Sequence, residues 1–439
     1  MSNNTSPTEI LRNLSIAEFN EMQRTVIEKA TTSDNLMLLA PTGSGKTLAF
    51  LMAIVNTLRA EQYGVQALIV APSRELSLQI EQVFRSMKTN FKVSCCYGGH
   101  SMKIEQNSLS EAPALIIGTP GRLADHIKRR SFDTSHVQVV VLDEFDKSLQ
   151  MGFQAQMELI LKSLNGNQQH ILTSATAPDV LPAFIPFSNP LTLNYLKEQV
   201  KSKLQLKLVR TRSTYKVETL MRLVAGFNQE VCLIFCNHRE AVERISALFK
   251  NHKFEHGTFH GAMDQIDREK NLIRFRGGAH NVLIATDLAA RGLDIPEIKH
   301  VVHYQLPPHE EAFLHRNGRT ARMHADGEAY LMLADDESLP DYVDGLVNEI
   351  VLSKSLRLPP PPVYICVYIG AGKKEKISKG DIVGLLMKKG GLQTSDLGLV
   401  TTLDHSSYVS VKRSSVERLL MNVKDEKLKK MKVKIEIAN

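Results

Sequence analysis

The sequence predicts two consecutive α/β domains with parallel sheets, followed by a smaller α+β domain. Three observations lead to this prediction. Ahead of a run of four prolines at 359–362, short apolar runs alternate with longer amphipathic stretches, which is typical of buried parallel strands joined by crossover helices. A polar, Lys-rich break near residues 190–215 divides that part of the chain in two. The residues after the prolines follow another order of strands and helices.

The first domain, placed at residues 1–190, contains short apolar runs that we predict to be strands of one sheet. These runs lie at 36–39, 67–70, 114–117, 137–142 and 171–172. Between them, residues 76–87 and 154–164 have the apolar spacing of amphipathic helices.

The second domain begins after the break. The strand pattern stops at the prolines of 186–190, and the polar stretch 197–214 follows, so we predict a linker near 190–215. The pattern restarts with apolar runs at 231–235, 282–285 and 301–304. We therefore place a second α/β domain at residues 215–355.

The third domain is predicted at residues 363–439, because four consecutive prolines fit neither a helix nor a central strand. Its expected elements are a strand at 364–369, a helix at 378–389, strands at 398–403 and 408–411, a helix at 415–430 and a strand at 432–437. This βαββαβ order is that of a ferredoxin-like sandwich. The lysines of 424–434 are expected on the solvated face of the last helix and in the turn after it.

Composition excludes several classes of protein. Hydrophobic residues make up 43% and charged residues 23% of the 439, as in an ordinary soluble globular protein. No apolar run approaches the about 18 residues that span a membrane, and residues 1–10 lack the features of a secretory signal. The 5 cysteines form neither a disulfide framework nor a pattern with zinc-ligand spacing. We expect a cytoplasmic protein that does not enter the membrane.

The excess positive charge is confined to the third domain. The chain has a net charge of +7, and residues 363–439 contain 15 Lys or Arg against 8 Asp or Glu, so the remainder is balanced. A basic module binds a polyanion favourably, because neutralising phosphates releases condensed counterions. On charge alone, a solvated basic surface without a partner is an equally good explanation.

A glycine-rich loop follows the first predicted strand. Residues 40–47 read Ala-Pro-Thr-Gly-Ser-Gly-Lys-Thr and precede an apolar helical run. Such a loop can direct backbone N–H groups at phosphates, and the following helix places its positive end there. Lys46 would reach the β- and γ-phosphates and the Thr47 hydroxyl would bind Mg²⁺. The predicted nucleotide contacts are Ala40, Pro41, Thr42, Gly43, Ser44, Gly45, Lys46 and Thr47.

Carboxylates follow the predicted strand at 137–142. The sequence runs directly into Asp143-Glu144-Phe145-Asp146, so the acidic side chains lie at the carboxyl edge of the sheet, where open α/β folds bind ligands. We predict that Asp143 holds the Mg²⁺ shell and that Glu144 orients or deprotonates the attacking water. An acidic turn after a strand is common, and the upstream phosphate loop is what favours a functional interpretation.

Taken together, these motifs resemble the DEAD-box RNA helicases over roughly residues 8–350. The first half of the family pattern is matched by Gln23, 40–47, 72–76, Gly98-Gly99, 119–122, 143–146 and 174–176. The second half is matched by 234–237, Gln265 with Arg268, 285–294 and 315–322. The resemblance implies two tandem RecA-like domains, ATP and Mg²⁺ as ligands, and ATP hydrolysis when the two domains close on each other. Closure would force the bound RNA strand into a bend that a duplex cannot follow.

The resemblance also implies roles for individual residues. Gln23 would read the adenine edge, Arg291 and Asp294 would contact the γ-phosphate region and ribose, and Arg319 and Arg322 would be arginine fingers. Ser174, Thr176 and His315 would couple ATP hydrolysis to RNA binding. The residues expected to contact RNA in the two domains are Arg74, Gly98, Gly99, Thr119, Arg122, Gln265, Arg268 and Thr286.

The sequence departs from the family pattern at three places. Phe145 replaces the usual alanine; we expect hydrolysis to remain because both carboxylates are kept, although the ring could alter packing against 174–176. Asn317 replaces the usual isoleucine. Residues 1–18 contain no aromatic residue to stack on adenine; Phe19 could contribute, although we favour a core position for it.

The third domain resembles the RNA-binding tail of the DbpA subfamily, through 373–384, 396–398 and 408–411. This resemblance implies an RRM-like module that recognises a hairpin of 23S-type large-subunit ribosomal RNA, with a pre-ribosomal particle as a candidate partner, and we expect a monomer. The predicted RNA contacts are Lys373, Lys374, Lys376, Lys379, Lys412 and Arg413. Tyr364, Tyr368 and Tyr408 could stack on bases, but half-buried strand tyrosines are more common.

The leading hypothesis is an ATP-dependent RNA helicase that remodels ribosomal RNA during assembly of the large subunit. One alternative is an ATP-regulated RNA clamp or scaffold with little turnover, which Phe145 could indicate. The other is a DNA helicase of the same superfamily. Lys46, Glu144, Arg319 and Arg322 argue against the clamp, and the motif at 119–122 and the basic tail favour RNA over DNA.

Overall fold

The computed structural model describes residues 5–41, 43–99, 101–178, 180–187, 189–196, 204–287, 298–320, 327–343, 347–353 and 355–438. Of these, residues 5–196 belong to one compact unit and residues 204–438 to another. Each unit is described by itself.

The first unit is a parallel sheet with helices on both faces. Its strands are β1 (Asn35–Leu39), β2 (Ala67–Val70), β3 (Val93–Cys96), β4 (Leu115–Gly118), β5 (Val139–Leu142), β6 (Gln169–Ser174) and β7 (Leu191–Asn194), in the spatial order β3-β4-β2-β5-β6-β1-β7. Its helices are α1 (Pro7–Asn13), α2 (Glu21–Lys29), α3 (Lys46–Thr57), α4 (Arg74–Met87), α5 (Met102–Leu109), α6 (Pro120–Lys128), α7 (Phe145–Gln150) and α8 (Gln154–Lys162).

Burial on both faces explains why the central strands of this sheet are continuous apolar runs. All four residues of β2 and all four of β5 are buried. Alternate side chains of the strands enter two separate core clusters, so that Val141 packs on one face of the sheet and Val140 on the other. Because the strands are parallel, the polar residues that follow them lie at the same edge of the sheet.

The second unit contains a second parallel sheet. Its strands are β8 (Leu204–Thr211), β9 (Cys232–Cys236), β10 (Gly257–Phe259), β11 (Val282–Thr286), β12 (His300–His303), β13 (Gly327–Ala334) and β14 (Asn348–Glu349), in the order β10-β11-β9-β12-β13-β8-β14. The helices of this part are α9 (Lys216–Ala225), α10 (Arg239–Asn251), α11 (Gln265–Arg276) and α12 (Glu310–Asn317).

The predicted linker near 190–215 is too long, because two strands lie within it. β7 pairs with β1 of the first sheet, and β8 pairs along its whole length with β13 of the second. The alternation Leu204, Leu206, Leu208 lies within the stretch that we had assigned to the linker. Polar residues between these leucines, Gln205 and Lys207, obscured the strand in the sequence, and Lys207 pairs with Glu328 at 2.5 Å.

After the prolines, the second unit continues as an antiparallel sheet with two helices. The strands β15 (Tyr364–Ile369), β16 (Leu397–Thr402), β17 (Ser407–Lys412) and β20 (Ile435–Ile437) have the order β16-β17-β15-β20, and the helices are α13 (Lys379–Lys388) and α14 (Arg413–Val423). Val367, Val409 and Leu419 are among the fully buried residues between the sheet and the helices. The predicted fold class, two parallel-sheet domains and a ferredoxin-like third, is confirmed.

The last predicted helix, at 415–430, is wrong in its second half. α14 ends at Val423, and a hairpin of β18 (Lys427–Leu428) and β19 (Met431–Lys432) follows. The two residues of its turn, Lys429 and Lys430, have φ of 47° and 71°, the left-handed conformation that a tight hairpin turn requires. Leu428 is buried in the core, so an apolar anchor holds the hairpin despite its many lysines.

None of the helices in the described residues is both long enough and apolar enough to cross a bilayer.

Candidate nucleotide and RNA sites

The glycine-rich loop lies where the sequence places it, between β1 and α3. Gly45 has φ of 90°, and a Cβ at this position would lie 2.4 Å from Nε2 of Gln23. Both the backbone conformation and the close approach therefore require glycine. The loop delivers the chain into α3, whose N-terminal backbone amides can bind an anion. Thr42 lies outside the described residues.

Gln23 is buried beside this loop. Its Nε2 donates to the carbonyl of Gly45 at 3.3 Å, and its Oε1 accepts from the backbone N–H of Asn20 at 2.9 Å. Asn20 in turn donates to the carbonyl of Ser44 at 3.0 Å. The first turn of α2 is thus bonded to the phosphate loop, which holds the predicted adenine-reading residue next to it. Phe19, close by in sequence, packs against the core of the unit.

Lys46 reaches back over the loop. Its ammonium donates to the carbonyl oxygens of Ala40 at 2.5 Å and Pro41 at 3.0 Å. Burial lowers the pKa of Lys46, while the carboxylates of Glu144 and Asp143 act in the opposite direction. The positive charge predicted to meet the phosphates is therefore enclosed between the loop and the acidic end of β5.

The acidic end of β5 is buried and hydrogen-bonded to β6. Asp143 and Glu144 are 3% and 7% exposed. The hydroxyl of Thr173 donates to Oδ1 of Asp143 at 2.5 Å and accepts from the backbone N–H of Glu144 at 3.1 Å. Glu144 has φ of 45°, a strained left-handed conformation that these contacts and the buried surroundings maintain. Thr173 was not anticipated from the sequence, although it directly precedes the motif at 174–176.

The electrostatics of this edge fit a magnesium-bound triphosphate. Burial, with a further contribution from Glu144, raises the pKa of Asp143 to about 6, while Thr173 and Lys46 act to lower it. A buried carboxylate of this kind gains from a nearby divalent cation. Asp143 and Thr47 are the residues that would hold Mg²⁺, which supplies positive charge to the phosphate oxygens.

Lys147 is a site residue that sequence reasoning missed. It follows Glu144 by three residues on α7, is fully buried, and places Nζ 2.7 Å from Oε1 of Glu144. A buried cation beside this carboxylate favours its ionised form, which is the form able to accept a proton from water. Lysine three residues after the second acidic position is the signal that could have identified it.

The predicted coupling residues contact the last residue of the acidic motif. The hydroxyl of Thr176 donates to Oδ2 of Asp146 at 3.0 Å, and the hydroxyl of Ser174 donates to the carbonyl of Thr176 at 2.6 Å. Phe145 is fully buried in the apolar core of the unit. An effect of its ring on packing against 174–176 stays a prediction.

In the first unit, the structure brings together three of the predicted RNA-binding elements. Arg74, at the start of α4, lies over the ring of Tyr97 with its guanidinium carbon 4.6 Å from the ring centre. Arg122 donates from Nε to the carbonyl of Tyr97 at 3.0 Å. Gly98 and Gly99 follow Tyr97 and are exposed. Thr119, half-buried, is the N-cap residue of α6.

A buried carboxylate supports this surface from beneath. Oε1 of Glu105 accepts the backbone N–H of Tyr97 at 2.8 Å, and its Oε2 lies 3.3 Å from Nε of Arg122 and 2.6 Å from Nε2 of His126. Glu105 and His126 are 3% and 0% exposed. One side chain thus fixes both the turn before Gly98 and the helix that carries Arg122. Sequence reasoning missed it because a glutamate on the amphipathic helix α5 looks like a solvated residue.

In the second unit, Gln265 and Arg268 lie in the first turn of α11. Nη1 of Arg268 donates to Oε1 of Gln265 at 3.2 Å, and the guanidinium of Arg268 lies 5.0 Å from the ring centre of Phe259. Thr286 is the last residue of β11 and is half-buried. The structure therefore joins the first two predicted RNA contacts and places the third at a strand end.

Arg316 is the organising residue of the motif at 315–322. It is 1% exposed, and its guanidinium donates to both carboxylate oxygens of Asp287 at 2.6 Å, to the carbonyl of Gln305 at 2.6 Å and to Oδ1 of Asn237 at 2.7 Å. These partners follow three different strands. In these contacts Arg316 has a structural role. The sequence motif at 315–322 did not reveal this role.

The neighbours of Arg316 include the predicted coupling residue and one predicted arginine finger. His315 and Arg319 are 7% and 4% exposed, and Nδ1 of His315 lies 3.9 Å from Oε1 of Glu311. Arg322, Arg291 and Asp294 lie outside the described residues.

The predicted contacts of the third domain do not form a single group. Lys373, Lys374, Lys376 and Lys379 are all exposed. Lys412 lies 3.8 Å from Asp396. Arg413 binds both carboxylate oxygens of Glu255, at 2.8 Å each, so its guanidinium holds a residue of the preceding domain.

Comparison with known proteins identifies the family. The DEAD/DEAH box helicase model matches residues 20–183, the helicase conserved C-terminal domain matches residues 215–324, and the DbpA RNA binding domain matches residues 366–437. Eukaryotic initiation factor 4A of Caenorhabditis elegans is 33% identical over 325 residues, 72% of this chain and 80% of that one. The chain belongs to the DEAD-box RNA helicases.

Within the DEAD-box helicases, the chain is of the DbpA type. ATP-dependent RNA helicase DbpA of Escherichia coli is 29% identical over 432 residues, 95% of this chain and 94% of its own length. The structure of S. cerevisiae Dbp5 bound to RNA and ADP BeF3 is also similar, with a TM-score of 0.67, 26% identity, and coverage of 76% of this chain and 89% of that one. The predicted activity, an RNA-stimulated ATPase, is confirmed. The family match favours it over an RNA clamp with little turnover and over a DNA helicase.

Proposed function

We propose that this DEAD-box helicase remodels 23S-type large-subunit ribosomal RNA during ribosome assembly, in the cytoplasm and as a monomer that acts on pre-ribosomal particles. The observation that carries the proposal is the third domain. It matches the DbpA RNA binding domain, and it contains the excess positive charge of the chain. A folded basic module suits RNA recognition by shape and phosphate contacts.

The catalytic part of the proposal assigns Lys46 to the phosphates, Thr47 and Asp143 to Mg²⁺, and Glu144 to the attacking water. Three observations support it: Lys46 is enclosed between the loop and the carboxylates, Asp143 is held by Thr173, and Nζ of Lys147 lies 2.7 Å from Oε1 of Glu144. The ionised Glu144 carboxylate would orient the water and accept its proton. Arg319 and Arg322 would stabilise the charge that develops on the transferred phosphoryl group.

The domain boundaries follow from the same proposal. The two RecA-like domains extend beyond the predicted bounds of 1–190 and 215–355, because β7 belongs to the first sheet and β8 to the second. Residues 363–439 are the RNA-binding module. In this arrangement the module selects the RNA and the RecA-like domains separate a nearby short duplex. The function of the third domain is therefore to select the RNA. An assay that compares different RNAs can distinguish this selection from basal ATP hydrolysis.

The test compares ATP turnover stimulated by a large-subunit ribosomal RNA fragment with turnover stimulated by an unrelated structured RNA of equal length. We expect stimulation at a much lower concentration of the ribosomal fragment. Replacement of Lys373, Lys374 and Lys379 by glutamate should remove this preference, because each lost phosphate contact weakens binding. Stimulation by the unrelated RNA at saturation should persist in this variant.

A charge-matched control replaces exposed basic residues away from the third domain. Arg59→Glu, Lys162→Glu and Lys250→Glu change the net charge by the same amount, and all three positions are exposed. This control should keep the preference for ribosomal RNA. Equal stimulation of the unaltered protein by both RNAs would refute ribosomal targeting.

A further inference from the structure

Three side chains that can bind a transition metal meet in the first unit, beneath the turn before Gly98. They are Cys96 at the end of β3, Glu105 on α5 and His126 on α6. One ligand atom from each, the thiol sulfur, a carboxylate oxygen and a ring nitrogen, lies within 4.8 Å of the other two. The three side chains are 1%, 3% and 0% exposed. The cluster is therefore enclosed by protein and shares Glu105 with the predicted RNA surface.

Close packing of α6 on the sheet brings these residues together. β3 pairs with β4 so that Cys96 lies beside Gly118. A Cβ on Gly118 would lie 2.4 Å from the carbonyl oxygen of Cys96 and 2.9 Å from the side chain of Leu123 on α6. Glycine at this position therefore lets the first turns of α6 approach β3. Because residues three apart share a face of a helix, His126 follows Leu123 towards the same strand.

Cys96 and its neighbour Cys95 lie on opposite faces of the sheet. Cys96 belongs to the core cluster that contains Leu123 of α6, whereas Cys95 packs against the other cluster. Burial raises the pKa of both thiols, so each is protonated at neutral pH while no metal is bound. The two cysteines are thus a matched pair, of which one faces Glu105 and His126 and the other does not.

His126 has one ring nitrogen in use and one without a partner. Nε2 lies 2.6 Å from Oε2 of Glu105. Within the part of the chain that the structure describes, Nδ1 has no hydrogen-bond partner, although the ring is fully buried. Buried polar atoms nearly always have a partner, and a metal-binding histidine typically uses one nitrogen for the metal and the other for a carboxylate or carbonyl. His126 therefore has a bonding capacity that the protein itself leaves unused.

The three kinds of donor favour Zn²⁺. A thiolate, an imidazole and a carboxylate are all ligands of Zn²⁺, and a site with three protein ligands leaves the fourth position to water. Bonds of about 2.0–2.3 Å place tetrahedral ligands roughly 3.3–3.8 Å apart, so small side-chain rotations can draw these donors onto one ion. Mg²⁺ prefers oxygen ligands alone. The cluster therefore differs in metal preference from the predicted Mg²⁺ site at Asp143 and Thr47.

We propose that Cys96, Glu105 and His126 form a Zn²⁺ site whose occupation opposes RNA binding. The thiol of Cys96 loses its proton to solvent when it binds the ion, so occupation increases with pH. The ion is held between β3, α5 and α6, the three elements that support the turn before Gly98.

Glu105 connects the metal site to the RNA surface. Its Oε1 accepts the backbone N–H of Tyr97 at 2.8 Å, and its Oε2 lies 3.3 Å from Nε of Arg122. A carboxylate drawn onto Zn²⁺ weakens both contacts, and the ion repels the guanidinium of Arg122 in a poorly screened interior. The Zn²⁺ site stands on the donor geometry, whereas its effect on RNA rests on the RNA contact predicted for Arg122. Since coupling between two ligands is reciprocal, RNA should weaken Zn²⁺ binding by the same factor.

The test of the site uses Co²⁺ as a spectroscopic probe of the full, reduced chain after treatment with a chelator. Co²⁺ on a thiolate has a charge-transfer absorption that oxygen ligands do not give. We expect one equivalent of Co²⁺ to produce this band and Zn²⁺ to remove it. Cys96→Ser and His126→Gln should each lose the band, whereas Cys95→Ser should keep it.

Two results would overturn the site. One is the absence of a thiolate band in the unaltered chain, and the other is a band that persists in Cys96→Ser. Circular dichroism and the urea midpoint of each variant report whether it is folded. If Cys96→Ser failed to fold, His126→Gln would decide the question, because its amide can still donate to Glu105 but is a poor ligand for Zn²⁺.

The RNA arm measures the affinity of the chain for a short labelled single strand unrelated to ribosomal RNA, with a non-hydrolysable ATP analogue and excess Mg²⁺. Zn²⁺ should weaken this affinity by about tenfold or more, within the usual range of coupling between two sites. Cys96→Ser should bind the RNA normally and be insensitive to Zn²⁺, whereas Cys95→Ser should remain sensitive.

The outcomes separate the site from its effect. Unchanged RNA affinity in a chain with Zn²⁺ on Cys96 would overturn the coupling and leave the metal site standing. An equal loss of affinity in Cys96→Ser would also overturn the coupling, because the effect would then belong to another metal site. Neither measurement depends on a preference for ribosomal RNA, so failure of the proposed targeting would be recognised independently.

Discussion

Nε2 of His303 lies 2.9 Å from Oδ1 of Asn317, and both side chains are buried in the second unit. Asn317 is the residue that replaces the isoleucine usual in the family pattern. Burial lowers the pKa of His303 to about 3, with a further contribution from the guanidinium of Arg316. The imidazole is therefore neutral, and its Nε2–H donates to the asparagine. The unusual residue satisfies a polar group that isoleucine would leave without a partner.

Asn317→Ile should destabilise the protein by about 1–3 kcal/mol, because it leaves the buried imidazole N–H without an acceptor. Urea unfolding followed by circular dichroism measures the change. The double variant His303→Leu with Asn317→Ile removes donor and acceptor together and should recover part of the loss. An unchanged midpoint in Asn317→Ile would show that the hydrogen bond contributes nothing.

Stability should fall as the pH drops below 6.5. Burial lowers the pKa of His303, His280, His256 and His300 in the folded second unit, so the unfolded chain binds more protons in acid. Their contribution is complete above the unfolded pKa, about 6.5, and is lost progressively towards the folded values. His303 alone accounts for up to about 3 kcal/mol at pH 4. Thermal unfolding between pH 8 and pH 4 tests this expectation.

A substitution isolates the histidine contribution to that profile. His303→Asn removes a buried group with a strongly lowered pKa while it retains hydrogen-bonding capacity. This variant should be less stable at pH 8 yet show a shallower loss of stability from pH 6.5 to pH 4. A slope identical to that of the unaltered protein would assign the acid sensitivity to other groups.

Glu144→Gln should stop ATP turnover while it preserves nucleotide binding. The amide cannot accept a proton from water, and general-base catalysis typically contributes about 10²–10⁴-fold. Single-turnover phosphate release and binding of a fluorescent nucleotide measure the two effects separately. Wild-type hydrolysis in this variant would contradict the assigned role.

Lys147→Met should lower turnover less than Glu144→Gln and shift its pH profile. Without the cation at 2.7 Å, the carboxylate of Glu144 loses a partner that favours its ionised form, so activity should require a higher pH. A pH–rate profile of RNA-stimulated turnover provides the measurement. A proportional loss at every pH would indicate a purely structural role for Lys147.

Glu105→Gln should weaken RNA binding without affecting nucleotide binding. The substitution keeps the size of the side chain but removes the charge shared by Arg122 and His126 and, through Tyr97, loosens the turn before Gly98. Removal of a buried charged partner costs about 1.5–3 kcal/mol, which corresponds to roughly 10–100-fold in RNA affinity if it acts on the bound conformation alone. Fluorescence anisotropy with labelled RNA tests it, and an unchanged affinity would place Glu105 outside RNA binding.

The sequence predicted best where local pattern and chemistry coincide. The strands β2 and β15 have the predicted bounds, and the residues at 40–47 and 143–146 follow buried strands as expected. These positions are determined by neighbours in sequence. Residues that act across the fold, such as Glu105 and Arg316, could not be found in this way, because their importance depends on partners that are far away along the chain.

Two errors have the same physical origin. The hairpin at 427–432 is rich in lysine and the strand β8 lies in a polar, basic stretch, and this polarity suggested a solvated helix face and a linker. In both places a few apolar residues, such as Leu428 and Leu208, are buried and hold the segment. Arg413 shows the opposite error: its charge suggested an RNA contact, but its guanidinium binds the carboxylate of Glu255 in the neighbouring domain.

The four hydrogen bonds of the Arg316 guanidinium have a consequence for how the second sheet opens. Residues 237, 287 and 305 follow β9, β11 and β12, and all are bonded to one cation. Fluctuations of these three strand ends are then correlated, so the amides there would exchange with solvent as one cooperative group instead of fraying separately.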